Sequence, residues 1–187
     1  MWLHSPKSLD SRSQRSTDSM LINGRGNEMT QPNTIAGITV ARQQQIDVAS
    51  DPSRGKWSSP FRLRSGNLSV GLMRINKNGG ENNLHAHPDV ESVWIVLKGR
   101  ARFYGMNDVL VAELGPGEGV SIPKGVPYWF DNKEEEPLEL YHITSRDASV
   151  KDVHRVNYAA YTEAQKARGP RPGREATEEE RAAATKL

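Results

Sequence analysis

The chain has 187 residues, with 25 Lys and Arg against 23 Asp and Glu and no cysteine. That length allows one domain with a real core plus some tail, and a formal charge of +2, with acids and bases mixed along the sequence, excludes the basic footprint of a nucleic-acid binder. Without cysteine there is no disulfide framework and no thiolate ligand, so any metal must be held by nitrogen and oxygen.

No apolar run approaches the roughly 18 to 20 residues that span a bilayer. Nothing near the N-terminus provides the apolar segment of a signal peptide. The expectation is a soluble, cytoplasmic protein with neither a nucleic-acid nor a membrane partner. Residues 1–33 are rich in Ser, Arg, Asn and Gln, have little to bury and read as a disordered leader. Their Arg and Ser content weakly resembles a transit peptide, and Met20 or Met29 offers an alternative start, since Met29-Thr30-Gln31-Pro32 looks like an ordinary N-terminus.

Residues 34–147 carry a β signal. Short runs of Val, Ile, Leu, Phe and Tyr recur between clusters of Gly, Asn, Asp and Pro, the pattern of an all-β sandwich or barrel. The predicted strands are Gly37–Ala41, Phe61–Arg64, Leu68–Ile75, Ser92–Lys98, Arg100–Tyr104, Val109–Leu114, Gly119–Ile122, Tyr128–Asp131 and Leu138–Thr144. Lys98-Gly99 and Asn107-Asp108 fall where tight connections are needed, and Gly99 takes positive φ without steric cost. Gly115-Pro116-Gly117 is a further turn, and Asp131-Asn132-Lys133 opens a solvated connection.

Residues 148–187 read as a helical or disordered tail. Asn157 is placed to cap a helix over Tyr158–Arg168, with Gly169 past its end and Pro170 stopping it. Tyr158 and Tyr161, one turn apart, would cover an apolar spot on the barrel. Gly169 to Gly173 reads as a linker, and Thr177 with Glu180 has the spacing of a capping box that opens a second short helix.

The chemistry concentrates on His85-Ala86-His87. Two histidines separated by one residue on a strand point to one face, and such a pincer is what a divalent ion with nitrogen and oxygen ligands needs. Downstream stand Gly117, Pro123, Gly125 and Asn132. Together with Gly79 and Gly99, these positions resemble the two signature motifs of the cupin family, commonly written G-x5-H-x-H-x3/4-E-x6-G and G-x5-P-x-G-x2-H-x3-N. The resemblance implies an antiparallel double-stranded β-helix, the jelly-roll or cupin barrel, with a short C-terminal helical extension. It also implies a pocket inside the barrel that usually holds one metal ion.

Two positions depart from the family pattern. Glu91 follows His87 at an allowed spacing, but Gly99 then arrives one residue late, and counting back from Gly99 puts Ser92 at the glutamate position. Glu91 shares a face with Val93, Ile95 and Leu97, so its carboxylate turns inward only if a bulge intervenes. Tyr128 takes the place of the third metal-binding histidine. A phenol with a pKa of about 10 is a poor ligand for divalent ions; the alternatives are a hydrogen bond to substrate, an acid role, or an aromatic filling the barrel mouth. His142 shares a strand face with Leu138, Leu140 and Thr144, a face expected to point into the core.

What the resemblance implies for function is a metal-dependent small-molecule enzyme, dioxygenase-, isomerase- or lyase-like. His85, His87 and Glu91 are the candidate metal ligands, and Tyr128 and His142 the candidate catalytic residues. The cofactor would be a divalent transition metal (Fe, Mn, Ni or Zn) and the partner a small-molecule substrate. The alternative is a metal-free cupin that binds a small ligand or uses His and Tyr for acid–base chemistry. Arg74 and Asn82 are placed near the pocket mouth, and His4 and His154 fall in the flanks. A homodimer is expected, with residues 34–50 able to supply an exchanged strand.

Overall fold

The computed structural model describes residues 21–22, 28–29, 33–35, 38–40, 55–77, 82–151, 154–169 and 172–186. The chain divides into two compact units, Met1–Gln31 and Pro32–Leu187. In the first, β1 (Leu21–Ile22) and β2 (Glu28–Met29) pair antiparallel; the rest of the expected leader, His4 included, lies outside the described residues. In the second, β3 (Asn33–Ile35) and β4 (Ile38–Val40) pair with each other. Residues 36–37 and 41–50 of the segment expected to supply an exchanged strand are also outside them.

The barrel is built from β5 (Lys56–Ser65), β6 (Leu68–Ile75), β7 (His85–Ala86), β8 (Val90–Lys98), β9 (Ala101–Tyr104), β10 (Leu110–Leu114), β11 (Gly119–Ile122), β12 (Trp129–Asp131) and β13 (Leu138–Arg146). Five strands form one antiparallel sheet in the order β11-β8-β13-β6-β5, and three form another in the order β10-β9-β12. Strand alternation decides what each sheet buries. On β8, Val90, Ser92, Trp94 and Val96 are buried, whereas Glu91 and Val93 are exposed. Leu138 and Leu140 on β13 are fully buried, as expected from their shared face. Trp94, Val96, Leu138 and Leu140 meet Ala101, Phe103 and Phe130 of the smaller sheet in one apolar core, with Trp94 and Phe130 rings 4.9 Å apart. The fold is an all-β, antiparallel double-stranded β-helix, and β6 and β11 have the predicted bounds.

The tight connections also fall where expected. Gly99 adopts φ +75°, and a Cβ there would lie 2.8 Å from the Pro137 carbonyl oxygen. Asn107 and Asp108 take φ of 56° and 55°, the left-handed region that these two residue types tolerate better than most.

The C-terminal segment corrects the sequence reading. Asn157 caps no helix: it ends β14 (Arg155–Asn157), which runs antiparallel to β7 and parallel to β15 (Gly173–Glu175). Its side chain is buried against Asn83 and Tyr161, so it is not available to helix N–H groups. Helix α1 begins later, at Glu163–Arg168, because Thr162 and Gln165 form a reciprocal capping box that satisfies both N-terminal donors. Tyr158 and Tyr161 therefore share no helix face. Of the expected linker, Gly173 opens β15, and residues 170–171 lie outside the described residues. Helix α2 (Glu178–Ala184) does start from the Thr177 and Glu180 capping box. Both terminal nitrogens of Arg174 hold the Glu180 carboxylate, at 2.8 and 2.7 Å, which pulls its pKa down to about 2. No helix among the described residues is long and apolar enough to cross a membrane.

Candidate functional site

His85 is fixed from both sides by backbone pairing. Its strand β7 adds to β14, and on the other edge its N–H donates to Tyr128 O at 3.2 Å while Tyr128 N–H donates to His85 O at 3.0 Å. The two rings lie 5.0 Å apart. His87 follows the strand and is half-buried, its ring 5.1 Å from that of His85 and nearly perpendicular to it, at 89°. The pair expected from the H-x-H spacing is thus brought together, with Tyr128 beside it.

The protonation of His85 follows from its partner. Nδ1 lies 2.8 Å from Asn83 O, and a carbonyl only accepts, so Nδ1 carries the proton and Nε2 of the neutral ring holds the lone pair. Burial, reinforced by Arg155, His87 and Lys56 nearby, pushes the His85 pKa well below 6.5, and the Asn83 carbonyl offsets only part of that. His85 is a neutral imidazole at neutral pH.

Tyr128 is the opposite kind of group. Burial pushes its phenol up to about 12, although Trp94, Ser92 and Arg155 pull it partly back. The Trp94 indole N–H is close enough to lower that pKa but not in hydrogen-bond geometry, which leaves this buried donor without a formal partner. Tyr128 keeps its proton.

The remaining candidates separate by strand face. Ser92, not Glu91, points inward. Glu91 is exposed on the outer face of β8, where its carboxylate accepts the Lys124 N–H at 3.1 Å; no bulge turns it, so the structure corrects the expectation that it joins the histidines. His142 does face the interior, but it stacks on Trp94 at 3.7 Å with Nε2 3.3 Å from Ser92 Oγ. Arg74 lies on the outer face of β6 beside Glu139, away from the pocket. Asn82 is half-buried just before β7, and His154 is exposed.

A cavity of about 330 Å³ opens between β10 and β11, the edge strands of the two sheets. Its wall is mainly apolar: Phe103, Val109, Val111, Val120, Ile122, Val126 and Tyr128, with Ala184 and Thr185 at the end of α2 closing one side. His85 and His87 do not line it. Tyr128 alone belongs both to the cavity wall and to the histidine pair.

Arg155, Asn83 and Lys56 were not singled out from the sequence. Arg155 is buried and donates to Asn83 Oδ1, and Lys56 Nζ sits 5.8 Å from the centre of the Phe130 ring. Each is polar within a polar stretch, and its role arises from contacts distant in sequence.

These residues do not fit a divalent ion. The position of the third imidazole holds a phenol, a poor ligand for divalent ions, Glu91 faces outward, and His142 is engaged with Trp94 and Ser92. Among the described residues, no three His, Asp or Glu side chains gather closely enough to hold a metal.

Fold and site together define a double-stranded β-helix barrel with an internal His–Tyr cluster. Residues 71–144 match the family model of the cupin domain, and this stretch of the chain is a cupin domain. An uncharacterized conserved protein with a double-stranded β-helix domain from Klebsiella pneumoniae is similar at 19% identity and TM-score 0.47, over 63% of this chain and 91% of that one. A cupin-2 domain protein from Shewanella frigidimarina is 28% identical with TM-score 0.40, over 47% and 80%. The DMSP lyase DddQ from Ruegeria pomeroyi is 24% identical with TM-score 0.40, over 50% and 44%. No curated protein matches the chain.

Proposed function

We propose that this protein is a metal-free cupin that binds a small, mainly apolar molecule and has the groups for acid–base chemistry on it. The observation that carries this reading is Tyr128. It lines the apolar cavity on one side and packs against the His85 ring on the other. Holding its proton to about pH 12, it is a hydrogen-bond donor to a carbonyl or hydroxyl oxygen of the ligand. The neutral His85 lies behind Tyr128, outside the cavity wall, and serves as the base that exchanges a proton with the ligand by way of Tyr128. Proton transfer, of the isomerase or lyase kind, is the reaction class this supports.

The cavity wall suits an uncharged ligand. An anion placed among valines and prolines loses its hydration without a paired cation, whereas a ring or short chain gains about 25 cal/mol for each Å² of apolar surface it buries.

Two measurements on freshly purified, untagged protein test the reading. Elemental analysis is expected to find no stoichiometric transition metal. Fluorine NMR is expected to show 4-fluoroacetophenone binding and 4-fluorobenzoate not binding, with the Val120→Phe variant, which fills the cavity, losing the ketone. One equivalent of metal that disappears in the His85→Ala/His87→Ala double variant would overturn the metal-free reading. Equal binding of both probes by wild type and Val120→Phe would overturn the cavity as the ligand site.

A further inference from the structure

Asn83 is buried, and each of its polar groups has a partner. Its N–H donates to Gln165 Oε1 at 2.8 Å. Its side-chain Nδ2 donates to Asn157 Oδ1 at 3.1 Å and to the Ala159 carbonyl at 2.5 Å. Its Oδ1 accepts from Arg155, and its carbonyl accepts from His85 Nδ1. Every partner except His85 comes from residues 155–165, more than 70 positions away in sequence.

Those partners are themselves fixed. Gln165 Oε1 also accepts the Thr162 N–H at 3.1 Å, so the residue that closes the capping box of α1 holds Asn83 as well. Asn157 lies opposite His85 in the β7–β14 ladder, and its Nδ2 donates to Tyr161 OH at 3.3 Å. The flanking backbone is tied down too, with Tyr158 N–H donating to Leu84 O at 2.9 Å. Arg155, Asn157 and Gln165 are all buried. Burying this many polar groups is unfavourable unless every one is satisfied. A plain structural prop between β7 and β14 needs only apolar packing, as Val156 supplies.

We infer that the C-terminal segment 154–169 is a positioning device for His85, acting through Asn83. It aims the Asn83 carbonyl at Nδ1, which fixes the ring as the Nδ1–H tautomer and leaves the lone pair on Nε2. An imidazole without such a constraint prefers the proton on Nε2. In that form Nε2 would be a donor, and its lone pair would be lost. Asn83, Asn157 and Gln165 are positioning residues, because they act on the site through His85. The use of Nε2 as a base rests on the proposed function, whereas the tautomer does not.

The test is long-range proton–nitrogen correlation NMR of the histidine rings in the full chain at neutral pH. Wild type is expected to show His85 protonated on Nδ1 alone. Gln165→Ala, which removes the acceptor of the Asn83 N–H, and Gln165→Ala/Asn157→Ala are expected to move a growing share of the ring to the Nε2–H form. Gln165→Glu keeps an acceptor and is expected to restore the wild-type pattern. A wild-type His85 carrying its proton on Nε2 would overturn the inference without any variant. So would an unchanged Nδ1–H tautomer in a double variant whose amide spectrum shows an intact fold. Neither result depends on whether the cavity binds a ligand or the chain binds a metal.

Discussion

Trp94 and His142 lie ring on ring across neighbouring strands, their centres 3.7 Å apart and their planes 3° from parallel. The pairing follows from register, because β8 and β13 place these residues directly opposite on the inner face. The stack holds His142 with Nε2 toward Ser92 and makes it part of the packed interior. His142→Phe retains an aromatic ring and is expected to cost about 1 kcal/mol or less, whereas His142→Ala opens a void and is expected to cost about 2 to 3 kcal/mol. Urea unfolding of both variants measures the difference.

Tyr128→Phe removes the hydroxyl, which lies beside Trp94 and Ser92, while preserving the ring. The fold is expected to survive, because the aromatic body still packs against His85. Ketone binding is expected to weaken, and turnover of any substrate that needs the phenolic proton to fall by about 100-fold or more. Fluorine NMR and steady-state kinetics read the two effects separately.

Stability is expected to form a plateau against pH with limbs set by these two residues. The folded pKa of His85 lies below its ordinary 6.5. Between those values the unfolded chain binds more protons, so stability is complete above 6.5 and is lost as pH falls toward the folded value. Tyr128 is raised from 10.0 to about 12, so the unfolded chain ionises first and stability is lost as pH rises between them, by on the order of 2 kcal/mol. Denaturant midpoints across the range are expected to show both limbs. The alkaline loss should shrink in Tyr128→Phe.

Gly99→Ala tests the tight connection between β8 and β9. An added Cβ meets the Pro137 oxygen at 2.8 Å on a backbone already at φ +75°. A loss of about 2 kcal/mol or more is expected, read as a lowered urea midpoint with an unchanged slope.

Much of the barrel was legible because each of its longer strands carries its own alternation. Leu138 and Leu140 announced the inner face of β13, whereas on β8 the parity raised Ser92 against Glu91 without deciding between them, and Glu91, the expected ligand, faces outward. The cupin resemblance rested on glycines and prolines at turns, where backbone geometry restricts residue choice. What β8 parity could not reveal was the Trp94–His142 stack, since opposition across strands depends on register. The C-terminal segment was misread for a related reason. Arg155-Val156-Asn157 has one apolar residue, too little to signal a strand, and it pairs with two residues of β7 far away in sequence. Asn157 before Tyr158 looks locally like a cap, but burial against Asn83 decided its role. Arg155 and Lys56 stood among many other basic residues, and only the folded chain sets their charge near His85.

The most direct test of the central claim is the titration of the His85 ring by NMR in the wild-type chain. A neutral base beside a protonated tyrosine requires His85 to remain uncharged at neutral pH and to gain a proton only well below 6.5. A midpoint at or above 6.5 would make the ring an imidazolium donor near neutrality and contradict the assignment.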